Sequence, residues 1–378
     1  MIKNLTYPQL ASVLRAVFEP KEGERDLTFL VDLPGGALPD AFEWLDRRRM
    51  SVEWFSMLQE HAREWPFQAF NFAVYDNVGS NNADLPPFVE IADSRAGIGE
   101  AHPAGRIPLG ELLARSSVVI SPTQLSATAP LKLLARTYPF RGATLPNFLR
   151  SMIPALSLNY EAVDARVGEV KRRMDVAESA EAVLRAGENA YRLFFDLRFR
   201  DGHASGGLIR HQGTVGNLPS GEAYIVPYEG EKGEPSKTAG ELPVQFRDEI
   251  VVFRIEQNRV VDILTAGPES EKQRWKVREE PAYGNIAELG VGVLGEWGIA
   301  AVGSVLLDEK LGLHVAFGRS DHFGGATGPG AFKSAAKVVH VDWVYVPSIQ
   351  PKITVDALTF RYQEGKNETI MKSNKLVI

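Results

Sequence analysis

The sequence predicts an α/β N-terminal domain with a parallel-type sheet, joined to a β-rich α+β C-terminal domain that binds metal. Three observations predict this. Short apolar runs alternate with helix-patterned segments through the first half. From about residue 191 the pattern changes to closely spaced strands separated by turns. Histidines and acidic residues then fall on those strands, where an unpaired imidazole or carboxylate is costly to bury. The boundary is placed at 190, giving domains 1–190 and 191–378.

The N-terminal elements follow in order. LTFLVDLP (27–34) reads as a buried strand, and Gly35-Gly36 ends it. The next segment has helical periodicity, with Phe42, Leu45, Met50, Trp54 and Leu58 among its apolar positions. AFNFAVYDN (69–77) and SSVVIS (116–121) are further strands, the latter followed by helix-like TAPLKLLARTY. Strands alternating with helices imply βαβ units and a parallel sheet. The charged stretch 157–190, punctuated by Gly168 and Gly187, reads as a helical bridge between domains.

In the C-terminal half, YRLFFDLRFRDG, EAYIVPYEG, GLHVAFG, VVHVDWVYV and KITVDALTFRY are strand-like. IVVFRIEQNRVVDILTA reads as a hairpin turning at Gln257-Asn258.

Composition narrows the function. A chain of 378 residues exceeds one ordinary core. A net charge of −6 argues against nucleic acid or an anionic membrane as partner. There is no cysteine, so thiolate zinc sites, iron–sulfur clusters and cysteine nucleophiles are excluded. Any metal must use His, Asp and Glu. The N-terminus lacks a signal-peptide core and no window is long and apolar enough to span a membrane, so a cytoplasmic location is the default expectation.

The chemistry concentrates late in the chain. Residues two apart share a strand face, so His340 and Asp342 in VVHVDWVYV project together. His314 points away from the apolar face formed by Leu313, Val315 and Phe317. A lone strand histidine is more often a satisfied core residue. Two of them with an aspartate make a metal site an even competitor, since His is the commonest metal ligand. Glu222 follows a Pro–Gly turn at a strand start, and Glu288 lies in a glycine-rich stretch. Either one alone reads as a surface residue.

The ordered series NLPSGE, AELG, LLDEKLGLHVAFG and HVD resembles the C-terminal half of the M29 metallopeptidases, a family of thermophilic aminopeptidases. Carried over position by position, the resemblance implies Glu222, Glu288, His314, His340 and Asp342 as metal ligands. It also implies one or two divalent ions (zinc, cobalt or manganese), aminopeptidase-like hydrolysis of a peptide or small-molecule substrate, and a homodimer. The family has a tyrosine shortly after its HIALG motif. This chain has HVAFGRSDHFGG there, with no tyrosine before His340. Asp321 or His322 is then expected to assist proton transfer, with Glu222 beside them as a catalytic carboxylate.

The sequence is also similar to a dihydroxypyridine ring-cleaving dioxygenase. That resemblance implies a single iron(II) on His314, His340 and Asp342. A catalytically silent binding protein on the same fold is the third reading. The cleft is expected between the domains.

Weaker signals remain. GVGVLG (290–295) has dinucleotide-loop spelling without the expected context. FGGATGPG (323–330) reads as a mobile loop over the metal site. Asp308 and Glu309 are candidates to orient a ligand histidine. Arg141, Arg198 and Arg200 are candidates for a substrate carboxylate, and His203 and His211 for the cleft. His61 and His102 look incidental.

Overall fold

The computed structural model describes residues 4–36, 38–92, 103–334 and 337–378. His102 lies outside the described residues. The chain forms two compact units, residues 1–163 with 207–220, and residues 164–206 with 221–378. The sequence had put the division at 190.

The first unit is built on a seven-stranded sheet. Its order is Val215–Asn217, Arg141–Thr144, Ser116–Ser121, Asp26–Leu33, Phe70–Asp76, Phe88–Ala92, Pro103–Pro108. The first five strands are parallel. The last two add as an antiparallel edge. The central strand, Asp26–Leu33, is buried along nearly its whole length, as a strand covered on both faces should be. The helix Phe42–Glu60 buries Trp44, Met50, Trp54 and Leu58. Phe42 does not join them: it opens the first turn, ahead of the buried face, and is 77% exposed.

The second unit contains two antiparallel sheets. The larger has eight strands in the order Arg259–Ile263, Glu249–Glu256, Ala239–Phe246, Asn189–Asp196, Ala177–Ala186, Ile353–Tyr362, Asn367–Lys372, Lys375–Leu376. The smaller has five: His340–Tyr345, Leu313–Gly318, Ile286–Gly292, Glu222–Ile225, His203–Ser205. The hairpin expected at Gln257-Asn258 forms there, with both residues at positive φ as a tight two-residue turn requires. No described helix is long and apolar enough to cross a membrane.

One expectation fails. The stretch 157–190 is helical only over Tyr160–Asp175. Ala177–Ala186 is instead a strand, paired to Asn189–Asp196 on one side and Ile353–Tyr362 on the other. Its Ala and Glu content favours helix locally. However, Ala180, Ala182, Leu184 and Ala186 recur at period two and face the core. Gly187 at φ +61° closes the turn. Pairing on both edges overrides propensity.

Candidate metal centre

The five-stranded sheet sorts its residues by parity. The register pairs Glu222 with Gly292, Tyr224 with Gly290, Gly290 with His314, Glu288 with Ala316, and Ala316 with Asp342. Residues paired across an antiparallel ladder share a face. Glu222, Tyr224, Glu288, His314, His340 and Asp342 therefore lie on one side, together with Gly290, Gly292, Ala316 and Gly318. The other side carries Leu289, Val291, Leu313, Val315, Phe317, Trp343 and Tyr345. It packs on the larger sheet: Phe317 meets Phe253 edge-on at 5.1 Å, Trp343 meets Phe246 at 5.0 Å, and the Tyr345 hydroxyl donates to the Pro243 carbonyl at 2.9 Å. Burial of the apolar side fixes the polar side in place.

Small residues make room for the cluster. A Cβ on Gly290 would stand 1.9 Å from His314 Nε2, so only glycine accommodates the imidazole. This accounts for the GVGVLG spelling, whose first two glycines lie within the strand Ile286–Gly292 and give way to a short 3-10 turn rather than a helix. Gly221, at φ +153° and against Leu294, lets the chain enter the strand at Glu222.

The side chains converge around Glu288. His314 Nε2 lies 3.1 Å from Glu288 Oε1 and 3.5 Å from Glu222 Oε2. His340 Nε2 lies 3.4 Å from Glu288 Oε2 and 3.5 Å from Asp342 Oδ1. The ligand atoms form two groups, Glu222–Glu288–His314 and Glu288–His340–Asp342, each within 4.8 Å and with Glu288 common to both. His340 Nδ1 donates to the Arg319 carbonyl at 2.8 Å, and His314 Nδ1 faces the Gly312 carbonyl at 3.4 Å. A carbonyl only accepts, so in both rings the proton sits on Nδ1 and Nε2 turns toward carboxylates. That orientation is unfavourable unless Nε2 binds a proton or a cation. Glu222 Oε2 is buried with no hydrogen-bond partner. The donor set and this orphaned oxygen both fit a divalent ion.

The electrostatics agree. Burial works to raise Glu288, but hydrogen bonds and charge from His314 and His340 outweigh it and hold the carboxyl well below the usual range. Burial works to lower His314, but Glu288, Glu222 and Asp342 push it up to about 9. His340 rises in the same way, against burial, on Asp342 and Glu288. Without an ion, protons must serve as the counter-charge.

The loop after His314 brings His322 to the centre, its ring 5.4 Å from that of His340 and nearly perpendicular to it. Burial, with the charges of His340 and Arg319, pushes His322 down to about 4. Asp321 instead turns to Arg319, which donates to it from Nε at 2.5 Å. The loop was expected to be mobile, but Glu229 pins it. Its carboxylate accepts from Ser320 Oγ at 2.6 Å, Thr327 N at 3.0 Å, Asn285 Nδ2 at 2.6 Å and the Ala326 amide.

Several candidates take structural roles. Arg141 pairs with Glu24, Arg198 with Asp196 and Glu234, and Arg200 with Glu231. Asp308 accepts from the Val302 amide rather than orienting a histidine. His203 stacks on Tyr224 and its Nε2 meets the Phe323 carbonyl at 2.9 Å. His211 sits in an exposed turn, and His61 stacks on Tyr7.

Three residues escaped the sequence reading. Lys310 is fully buried, with Nζ 3.1 Å from Glu222 Oε1 and also bonded to Glu309. Tyr224 shares the ligand face, and burial with the charges of Glu288 and Glu222 raises its phenol well above the ordinary value. Glu229 anchors the loop. Glu229 and Tyr224 lie in the quoted EAYIVPYEG segment, and Lys310 in DEKLGLH. Only the alternation of that strand could have pointed to Tyr224.

No family model matches the chain, and no curated protein matches it in sequence. Two solved structures share its fold over nearly full length. The 2,5-dihydroxypyridine dioxygenase from Pseudomonas putida KT2440 is 14% identical, covers 99% of this chain and 98% of that one, and superposes with a TM-score of 0.61. AmpT from Thermus thermophilus, an aminopeptidase, is 13% identical over 98% of both chains, with a TM-score of 0.57. The chain has the two-part α/β plus β-rich fold of these enzymes. At such identity the likeness speaks for the fold, while the reaction belongs to the site.

Proposed function

We propose that the protein is a metal-dependent, aminopeptidase-like hydrolase. The observation that carries this is the pair of three-ligand groups sharing Glu288, with Glu222 Oε2 buried and without a hydrogen-bond partner. Glu222, Glu288, His314, His340 and Asp342 would hold one or two divalent ions, which would acidify a water and polarise a carbonyl. The chain's own residues do the rest. The Arg319 and Gly312 carbonyls fix the two imidazoles with Nε2 inward. His322, a neutral imidazole against His340, is better placed to accept a proton than Asp321, which Arg319 holds. The Tyr224 phenol, kept protonated, offers a donor on the same face.

A second reading, an iron(II) ring-cleaving dioxygenase, is favoured by the rings around His340. Phe323 lies 5.6 Å and His322 5.4 Å from it, with Tyr224 4.7 Å from Phe323, and such a setting suits a flat aromatic substrate. Retention of both Glu222 and Glu288 favours the hydrolase, because a two-histidine, one-carboxylate iron site needs neither.

The test is turnover of aminoacyl amides beside dihydroxylated aromatics, with Zn²⁺, Mn²⁺ or Fe²⁺ added under air. Amide hydrolysis lost in His340→Ala supports the first reading. Oxygen uptake without amide hydrolysis replaces it with the second. Neither activity, with no metal bound, removes both.

A further inference from the structure

The two ligand groups differ in one respect that the shared Glu288 hides. On the Glu222 side a permanent cation is already present. Lys310 has no exposed surface, and its ammonium bonds Glu222 Oε1 at 3.1 Å and the Glu309 carboxylate as well. Glu309 belongs to neither ligand group. On the other side no ammonium or guanidinium pairs with Asp342 or with Glu288 Oε2 among the described residues; each faces the His340 imidazole.

The turn that carries Lys310 is held close against the sheet. It is a 3-10 turn, Glu309–Leu311, and a Cβ on Gly292 would stand 2.1 Å from the Lys310 carbonyl carbon. An ion on Glu222 Oε2 would therefore sit one carboxylate away from a fixed positive charge, in a buried setting where like charges repel strongly.

We propose that the Lys310 ammonium stands in for a second divalent ion at Glu222, so that the centre holds one tightly bound ion, on Glu288, His340 and Asp342. Lys310 shares its charge between Glu222 and Glu309, whose carboxyl burial pushes toward the neutral form, and it fixes Glu222 Oε1, leaving only Oε2 to a weak second site. This rests on the metal-centre reading, and its test reads metal binding rather than turnover.

The test uses the full chain freed of metal by chelation and titrated with Mn²⁺, read by equilibrium dialysis and electron paramagnetic resonance. Wild type is expected to bind one Mn²⁺ with the six-line signal of an isolated ion, and any second at least ~tenfold more weakly. Asp342→Asn should lose the tight ion, while Glu222→Gln should still bind it, weakened by no more than the ~10–100-fold that loss of a group around the ligands costs. Lys310→Gln should bind a second ion comparably and show an exchange-coupled pair. Should that variant not fold, Glu309→Gln, which keeps the ammonium on Glu222, is expected to remain a one-ion protein. Two equivalent ions or a coupled signal in wild type overturns the proposal and leaves the metal centre standing. So does loss of the tight ion in Glu222→Gln, a second tight ion in Glu309→Gln, or a folded Lys310→Gln that still holds one. A wild type that binds no Mn²⁺ overturns the metal-centre reading itself, and this proposal with it.

Discussion

Two buried carboxylates, one in each unit, show how a sheet can use the same group for opposite ends. Asp32 closes the central strand of the first unit and accepts from the Gln124 and Leu125 amides and from Trp44 Nε1, all between 2.8 and 3.1 Å. These neutral donors satisfy its oxygens without offsetting burial, and its pKa rises. Glu288, equally buried in the second unit, has no backbone donor on its carboxylate among the described contacts. It faces two imidazoles, and its pKa falls. Full satisfaction by neutral groups marks a structural carboxylate. Dependence on positive charge marks one that an ion can claim.

The contrast breaks most sharply through stability. Asp32→Ala strands three buried donors, besides removing the opposite charge that most favours buried Arg47. A loss of about 3–5 kcal/mol is expected in urea unfolding, with or without added metal. Glu288→Gln should leave the metal-free protein closer to wild type than Asp32→Ala does, yet weaken Mn²⁺ or Zn²⁺ binding by more than ~100-fold, measured by competition with a chelating dye. If Glu288→Gln kept its metal, Glu288 would be structural like Asp32.

The ion's share of stability sharpens the comparison further. At a free concentration of ~100 times its dissociation constant it should add about 2.7 kcal/mol, seen as a rise in Tm that chelation reverses. His340→Ala should abolish most of that rise, because it removes a ligand, whereas Gly290→Ala should only lower it, since the added methyl displaces the His314 ring that bears on Glu288.

The smallest effect concerns acid. Burial works to raise Glu24, but the hydrogen bond and charge of Arg141, helped by Ser117, outweigh it and lower the pKa. A folded-state pKa below the unfolded one adds stability above about 4.5, lost as pH falls through the folded value. Glu24→Gln should therefore flatten the acid limb of the stability curve and leave neutral-pH metal binding unchanged. A steeper acid limb would contradict this.

Legibility was uneven. The parallel strands at 27–34, 69–77 and 116–121 and the hairpin at Gln257-Asn258 were readable, because apolar runs and turn residues act locally. Ala177–Ala186 was not, since its residues favour helix and only two flanking strands make it a strand. Alternation was enough to put His340 and Asp342 on one face. The loop at 323–330 looked free because glycine and proline were visible and Glu229, far off in sequence, was not.

Sequence by itself determined what could be on offer: no thiolate, a mildly acidic chain, and imidazoles and carboxylates at period two on strands whose alternate residues are apolar. Tertiary structure decided which of them meet. Strand order and register joined Glu222, Glu288, His314, His340 and Asp342 on one face, set Lys310 against Glu222, and sent Arg141, Arg198 and Arg200 to ordinary pairs. The physical reason is range. Face and propensity are settled within a few residues of chain, whereas the partner of a buried charge is settled by packing between segments distant in sequence.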